Sequence, residues 1–298
     1  MSRAAVVVNP TKLDDYEAFR KSVVRAMEDR GWGEPLWQET TPDDPGQGQA
    51  ETAVSAAVDL LIACGGDGTV TACAEGVVGT GVPLAVIPLG TGNLLARNVG
   101  VPMGLDEALE VALDGVEQPV DAGRVNGKLF VVMAGLGLAA RMLDDTSEPL
   151  KKRLGWVAYA LTAVRHLGDR PMRVTVRADG GRPRRFWAGA VIIGNVGWLQ
   201  GGVPLLPDAR PDDGVLDAVV LIASGLAGWL AVAADILLRR ATRGGTHRIR
   251  FTELEVTLHQ QEPWELDGEV MGSTRQLTVV AEPGALLLRV PRESETHD

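Results

Sequence analysis

Apolar runs that alternate with helix-like stretches constrain the fold of the first hundred residues more than any other feature. The runs are "AAVVVNP", "DLLIACGGDG" and "PLAVIPLG", with a short run at 36–39, and helical periodicity marks 14–30, 50–58 and 70–78. Continuous apolar runs are typical of strands buried on both faces of a parallel sheet. We therefore predict a doubly wound α/β domain, in which ligands bind beyond the carboxyl ends of the strands.

The pattern changes near residue 121, where short strand-like segments joined by Gly, Asn and Asp turns begin. This texture predicts a β-rich second half. Two segments with helical periodicity, 148–167 and 226–243, interrupt it. The stretch "GLGLAARM" is predicted to be a turn near the domain junction.

Composition excludes several classes of protein. A formal net charge of −10 argues against a nucleic-acid binder that works by neutralising phosphates. Cys64 and Cys73 are too few for a disulfide scaffold or a zinc site, and we interpret them as reduced thiols of a cytoplasmic protein. The N-terminus lacks the pattern of a signal peptide and predicts a first buried strand. The uncharged stretch 218–234 is interpreted as strand, turn and helix rather than as a membrane span.

Two glycine-rich loops, "GGDGT" and "PLGTGN", follow directly after apolar runs. A glycine turn between a strand and a helix lets backbone N–H groups approach an anion, although the same turn also forms without a ligand. The Walker A pattern and the dinucleotide spacing GxGxxG are both absent. Because two such loops are expected at one sheet edge, a polyphosphate such as a nucleotide is the favoured guest. Asp67 could then orient a hydroxyl or hold a metal-bound water.

Five motifs in a fixed order give the chain a resemblance to a known family. They are "VVVNP", "GGDGT", "PLGTGNLLARN", "PDDGVLD" and "ELDGE". Together they resemble the diacylglycerol kinase catalytic-domain family, specifically the soluble bacterial lipid kinases, which are related to sphingosine kinases and more distantly to NAD kinases. The resemblance implies an α/β nucleotide-binding domain at 1–121, completed by the segment 284–298, and a β-sandwich domain at 122–283 that holds the general base and a metal loop.

The activity that the resemblance implies is phosphorylation of a lipid hydroxyl by ATP with Mg²⁺, as in phospholipid biosynthesis. The acceptor would be diacylglycerol or a related lipid alcohol, and the enzyme would be cytoplasmic and peripherally membrane-associated. Two alternatives stay open: an NAD kinase, which shares "GGDGT", and a catalytically impaired nucleotide sensor. A homodimer also stays open.

The site residues follow from the same resemblance. Asp67 is expected to act in catalysis, and the general base is Asp267 or Glu269. The structural Mg²⁺ would be bound by the Asp213 carboxylate and the carbonyls of Arg210 and Val215, since oxygen ligands suit a hard cation. The expected nucleotide-binding residues are Asn9, Pro10, Thr11, Lys12, Thr41, Gly65, Gly66, Asp67, Gly68, Thr69, Gly90, Thr91, Gly92 and Asn93.

The sequence departs from the family pattern in three places. The N-terminal loop reads "NPTKLDD" where small residues usually follow Asn-Pro, and Thr71 and Ala72 replace a usual Asn-Glu pair. Leu94 stands where the family usually has Asp, which removes one carboxylate from the expected site. This last change bears on either the efficiency or the substrate choice that the resemblance implies, while Asp67, Asp267 and Glu269 keep a kinase workable.

Two basic segments are candidates for docking on a membrane. Lys151, Lys152 and Arg153 precede an apolar run that contains Trp156 and Tyr159, a pattern that favours an interfacial helix. The second segment is interpreted as a core-packed helix whose cations complement the helix dipole. Its arginines are Arg239, Arg240, Arg243, Arg248 and Arg250.

Overall fold

The computed structural model describes residues 2–144, 170–223, 228–229 and 245–292. The chain divides into two compact units. Unit 1 comprises Met1–Val120 and Gly284–Asp298, and unit 2 comprises Asp121–Pro283. The chain therefore enters unit 2 once and returns to unit 1 through its last strand.

Unit 1 is an α/β unit with a parallel sheet. Its elements are β1 (Ala4–Val8), a 3-10 turn (Pro10–Lys12), α1 (Tyr16–Glu28), β2 (Leu36–Glu39), α2 (Gln47–Ser55), β3 (Leu60–Gly65), α3 (Asp67–Val77), β4 (Leu84–Pro88), α4 (Leu94–Asn98) and α5 (Leu105–Asp114). The strands run in the order β4–β3–β1–β2, each pair parallel. The end of the last strand of the chain pairs with β4 through Leu288 and Leu84.

The elements of unit 1 follow from local sequence. Strands β1, β3 and β4 are buried along their whole length, as their continuous apolar runs require. Helix α1 buries Phe19, Val23 and Met27, which recur every four residues on one face. The Asp15 carboxylate accepts the N–H of Ala18 and caps the helix.

Unit 2 is mainly antiparallel and β-rich. Its elements are β5 (Val116–Val125), β6 (Lys128–Phe130), β7 (Met133–Gly137), α6 (Leu138–Asp144), β8 (Met172–Ala178), β9 (Arg184–Ala188), β10 (Ala190–Gly194), β11 (Trp198–Leu199), β12 (Val203–Pro204), β13 (Leu216–Leu221), β14 (Thr246–Phe251), β15 (Glu253–Leu266) and β16 (Glu269–Val290). The strand order is β14–β13–β10–β7–β15–β16, with β8 joining β15 to β9 and with β5 joining β16 to β6. One buried apolar cluster, which includes Phe130, Leu136, Ile193, Phe251 and Val256, forms the core. An α/β unit followed by a mainly antiparallel β unit agrees with the predicted fold class.

Several local predictions need correction or fall outside the described residues. The stretch "GLGLAARM" ends β7 and begins α6, so it is not a simple turn. Arg248 and Arg250 lie on β14 rather than at the end of a helix. The predicted helix 148–167, with its basic and aromatic residues, lies outside the described residues, and so does 226–243 apart from Gly228 and Trp229. Within the described part of the chain, no helix is long and apolar enough to cross a membrane.

Candidate active site

The predicted nucleotide-binding residues of unit 1 follow the carboxyl ends of four parallel strands. Asn9 comes directly after β1, Thr41 follows β2, Gly65 ends β3, and Gly90 follows β4. Because parallel strands present these ends at one sheet edge, the fold brings the loops together. Pairs such as Val8 with Cys64 and Gly65 with Pro88 fix the register at that edge.

Asp67 connects the two glycine loops. It is the first residue of α3, and its carboxylate accepts the backbone N–H of Asn93 at 2.8 Å and that of Leu94 at 2.6 Å. Burial raises the pKa of this carboxyl, and the backbone N–H groups partly oppose the rise. The second of these hydrogen bonds comes from the main chain of Leu94, so it does not depend on the Asp that the family usually has at that position. Asp67 therefore fixes one loop relative to the other.

The glycines of the two loops exclude each other's side chains. A Cβ added to Gly90 would lie 2.6 Å from the Gly66 Cα, and a Cβ on Gly92 would lie 2.6 Å from the Asp67 carboxylate. A Cβ on Gly65 would meet the Thr69 side chain at 2.5 Å. Glycine is thus required at these positions largely because the two loops pack against each other. The close packing places main-chain groups of both loops at the same edge of the sheet.

Asn93 shapes the second loop rather than presenting a free amide. Its backbone is left-handed, with φ of 48°, and its side chain is buried. Its Oδ1 accepts the N–H of Gly90 at 2.9 Å, and its Nδ2 donates to the Gly90 carbonyl at 2.7 Å. The side chain therefore closes the turn, while the neighbouring Thr91 is exposed.

The loops that follow β1 and β2, which contain Asn9 and Thr41, are also ordered by their own side chains. The Asn9 Oδ1 accepts both the backbone N–H and the hydroxyl of Thr11, at 3.1 and 2.7 Å, and so caps the 3-10 turn that Pro10 begins. The Thr41 hydroxyl accepts the N–H of Asp44 at 3.1 Å. Lys12 is exposed at the end of the 3-10 turn.

The last two predicted nucleotide-binding residues lie in α3. Gly68 lies in the first turn of this helix, beside Thr69, which is buried.

The motif "LDGE" of unit 2 forms a two-residue hairpin between β15 and β16. Leu266 pairs with Glu269, and Asp267 and Gly268 form the turn with φ of 46° and 87°. Positive φ at both positions is the geometry of a type I′ turn, which Asp-Gly favours. The turn projects Glu269 at the start of β16.

Asp267 and Glu269 differ in what holds them. The Asp267 carboxylate accepts three backbone N–H groups, from Val131 at 2.9 Å, Val132 at 3.0 Å and Met133 at 2.9 Å. Glu269 is exposed, and its carboxylate makes no hydrogen bond or ion pair with any of the described residues. Asp267 is therefore committed to holding the chain, whereas Glu269 is free to meet another molecule.

Glu265 is a carboxyl group at this turn that sequence analysis did not single out. It is only 4% exposed, and its Oε2 accepts the N–H of Gly268 at 2.9 Å. Its Cα partner is Gly135, where an added Cβ would lie 2.5 Å from Oε1. Burial raises the pKa of Glu265 to about 8, with a smaller rise from the charge of Asp267. Trp264, Glu265 and Leu266 are buried in succession, so the alternation of strand side chains gave no signal for this residue.

Asn195 is a second residue that sequence analysis missed. Its side chain is 1% exposed, and its Nδ2 donates to the carbonyls of Asp121 at 2.7 Å and Val131 at 3.1 Å. Its backbone N–H also donates to the Val132 carbonyl. Asn195 thus supports the segment that Asp267 holds. A polar residue directly after the apolar run "AVIIG" was the signal for it.

The predicted Mg²⁺ loop has a different partner in the structure. The Asp213 carboxylate is 2.5 Å from an Arg250 nitrogen, and it also accepts the N–H of Val215 at 3.3 Å. Arg250 lies 3.9 Å from buried Asp217, whose pKa burial raises to about 6. Exposed Arg210 pairs with Asp212. Within the described ranges, no group of three or more Asp, Glu, His or Cys side chains could hold a metal. A single carboxylate that is paired with arginine does not fit a structural Mg²⁺.

Comparison with known proteins assigns the family. Residues 3–125 match the diacylglycerol kinase catalytic domain, and residues 130–290 match the YegS C-terminal NAD kinase beta sandwich-like domain. A probable lipid kinase YegS-like from Pseudomonas aeruginosa is 38% identical over 259 residues, which cover 82% of this chain and 80% of that protein. This chain belongs to the diacylglycerol kinase family. Membership confirms the predicted family and the predicted enzyme class, a kinase that transfers a phosphoryl group.

Other members and structures extend the similarity across the chain. A diacylglycerol kinase from Bacillus subtilis is 31% identical over 288 residues, or 91% of each chain. A putative diacylglycerol kinase structure from Bacillus anthracis has a TM-score of 0.81 at 24% identity and covers 97% of this chain and 95% of its own. An NAD kinase from Archaeoglobus fulgidus in complex with ATP has a TM-score of 0.54 at 14% identity, covering 98% of this chain and 94% of that one. The two structural similarities show the fold alone.

Proposed function

We infer that this member of the diacylglycerol kinase family is a lipid kinase that uses ATP to phosphorylate the hydroxyl of diacylglycerol or of a related lipid alcohol. The observation that carries this proposal is the similarity along both units to proteins named as lipid and diacylglycerol kinases. It is supported by an exposed, unpaired Glu269 in the "LDGE" turn. In this proposal the enzyme works at the membrane surface, where its substrate lies.

In the proposed mechanism, the loops of unit 1 bind the nucleotide. The glycine loops 65–69 and 90–93 face the phosphates, except for the N–H groups of Gly90 and Asn93, which donate to Asn93 Oδ1 and to Asp67. The N-terminus of α3 adds its dipole. Asn9 to Lys12 and Thr41 bound the same edge. Asp67 keeps the two glycine loops in register, which matters because phosphoryl transfer depends mainly on positioning and on charge.

In the proposed phosphoryl transfer, Glu269 acts as the general base. The lipid hydroxyl oxygen forms a bond to the γ-phosphorus as the bond from that phosphorus to the ADP oxygen breaks. The hydroxyl proton passes to the Glu269 carboxylate, and ADP leaves with the bonding electron pair. Among the two predicted candidates, Glu269 is preferred because accepting a proton there breaks no hydrogen bond to the described residues. Mg²⁺ that arrives with the ATP phosphates would supply charge neutralisation.

The test is transfer of labelled γ-phosphate from ATP and Mg²⁺ to a lipid alcohol dispersed in neutral detergent micelles. Diacylglycerol is the first acceptor, an extracted lipid mixture is the second, and NAD is assayed in parallel. We expect label in an organic-soluble product, and we expect Glu269→Gln to abolish most of it. Label in NADP would instead indicate an NAD kinase, and nucleotide binding without any labelled product would indicate a sensor.

A further inference from the structure

Arg248 and Arg250 are the described members of the basic segment that sequence analysis assigned to a core-packed helix. They do not form a free cationic surface. Arg248 pairs with Asp208 at 3.0 Å, and Arg250 pairs with Asp213 at 2.5 Å. A paired arginine has little charge left for an external anion. A docking surface for anionic lipid must therefore be sought elsewhere in the described residues.

The hairpin of β8 and β9 concentrates arginine in a chain that is acidic overall. Residues 170–187 hold six arginines and a single acidic residue, Asp179, whereas the whole chain has a net charge of −10. The Asp179 carboxylate accepts the N–H groups of Thr252 and Glu253 at 2.9 Å, and these bonds lower its pKa. It is therefore directed to the start of β15. The six arginines are Arg170, Arg173, Arg177, Arg182, Arg184 and Arg185, and all are exposed.

Strand register places part of this charge on one face with an aromatic ring. Arg173 pairs with Trp187, and Thr175 pairs with Arg185, so these four side chains point away from the core. The opposite face of β8 carries Met172, Val174 and Val176, which are buried in the core of unit 2. We name Arg173, Arg185 and Trp187 the arginine–tryptophan face.

Trp187 distinguishes this face from an ordinary solvated one. It is 59% exposed, the largest exposed fraction among the large hydrophobic residues of the described chain. The Arg173 guanidinium lies 5.3 Å from its ring centroid, a cation–π distance. Charged residues also protect an edge strand such as β9 from pairing with another chain. That protection requires no exposed tryptophan.

The arginines of this face are available for an external partner. Neither Arg173 nor Arg185 has a carboxylate partner among the described residues. The neighbouring Arg177 pairs with Glu255 at 3.5 Å, at a shallow depression of about 300 Å³ that also contacts Thr175. Arg170, Arg182 and Arg184 also have no carboxylate partner among the described residues, but the register of β8 and β9 places only Arg173 and Arg185 on the face of the exposed ring.

We propose that the arginine–tryptophan face docks this enzyme on the anionic surface of a membrane. Arginine attracts anionic headgroups, and tryptophan favours the headgroup level of a bilayer. The inference deepens the proposed function and rests on it, because an enzyme that acts on a lipid alcohol must reach the surface that contains its substrate.

The test is co-sedimentation of the full chain with vesicles of phosphatidylcholine, with and without phosphatidylglycerol. We expect binding to the anionic vesicles only, weakened by salt, and we expect Arg173→Gln with Arg185→Gln to reduce partitioning about 30-fold. Trp187→Ala should reduce it on its own. The matched control is Lys21→Gln with Arg292→Gln, which removes two exposed charges of unit 1 that also have no carboxylate partner among the described residues, and it should change partitioning little.

Several outcomes would overturn the proposal. They are equal binding to neutral vesicles, no binding to either vesicle, or an equal loss in the control variant. A dimer in light scattering that Arg173→Gln with Arg185→Gln converts to monomer, without vesicle binding, would assign the face to a second copy instead. Phosphorylation of micellar lipid alcohol should be unchanged in the docking variant. Loss of vesicle binding with intact micellar turnover separates docking from catalysis, and absence of micellar turnover in the native chain refutes the proposed function alone.

Discussion

Asp67 in unit 1 and Asp267 in unit 2 perform similar structural work in different surroundings. Each carboxylate accepts backbone N–H groups from a distant segment, two in the case of Asp67 and three in the case of Asp267. Asp67 holds two loops whose glycines touch, and burial raises its pKa. Asp267 sits in a hairpin turn beside the exposed carboxylate of Glu269.

The two units differ in whether the carboxylate that holds the chain is also the one proposed to take part in the reaction. In unit 1, a single carboxylate holds the loops and lies within the predicted phosphate site, so its two roles cannot be removed separately. In unit 2, Asp267 and Glu265 hold the turn, whereas Glu269 is free. A structural group and a chemical group can therefore be tested one at a time in unit 2.

The largest expected effect is on turnover in Glu269→Gln. We expect kcat to fall about 10²- to 10⁴-fold because the variant cannot accept the hydroxyl proton. The free energy of unfolding should stay within about 0.5 kcal/mol of the native value, because the side chain is exposed. Steady-state kinetics and urea unfolding measure the two quantities. Glu253→Gln at the start of β15 is the matched control, because this side chain is also exposed and has no partner among the described residues. Native turnover in Glu269→Gln would reject Glu269 as the base.

The next effect compares Asp267→Asn with Asp67→Asn in urea unfolding. An amide replaces one acceptor oxygen with a donor that faces an N–H group. We expect Asp267→Asn to cost about 2–4 kcal/mol, since hydrogen bonds to a charged group contribute about 1.5–3 kcal/mol each and part is recovered by the remaining oxygen. Asp67→Asn should cost less, because burial already penalises its ionised form. A larger cost at Asp67 would contradict this comparison.

A third prediction concerns the pH dependence of stability through Glu265. Its pKa rises from 4.5 to about 8 on folding, so the folded state binds the proton more tightly. The resulting stabilisation is fully present below about pH 4.5 and is lost as the pH rises through about 8. We expect the free energy of unfolding of the native chain, relative to Glu265→Gln, to fall by up to about 1.4 kcal/mol per pH unit in that window. Parallel curves for the two proteins would show that Glu265 is not protonated.

The smallest expected effect is that of Gly90→Ala, which disturbs the contact between the two glycine loops. In Gly90→Ala, the new Cβ would lie 2.6 Å from the Gly66 Cα, so the loops must separate. We expect a cost of about 1–2 kcal/mol in unfolding and a higher KM for ATP. Gly33→Ala is the control, because its Cβ would be 3.5 Å from the Ser2 carbonyl, an ordinary contact. An unchanged KM in Gly90→Ala would show that the loops tolerate separation.

The sequence by itself determined the fold class, the family and the sheet edge at which the site loops lie. Apolar runs, helical periodicity and motif order are local patterns, and local patterns decide which elements form and in what order. The turn chemistry of "DG" is local as well, and it agrees with the type I′ hairpin. The proposed roles of the individual site residues stay predictions.

Only the tertiary structure decided which groups meet. Asp67 binds backbone 26 and 27 residues away, and Asp267 binds backbone 134 to 136 residues away. The same holds for Glu265 opposite Gly135 and for Arg250 against Asp213. Each contact joins elements that lie far apart in the chain, and burial and charge pairing depend on that packing. For this reason the motif "ELDGE" could not show which of its carboxylates is buried, which holds the turn and which is free.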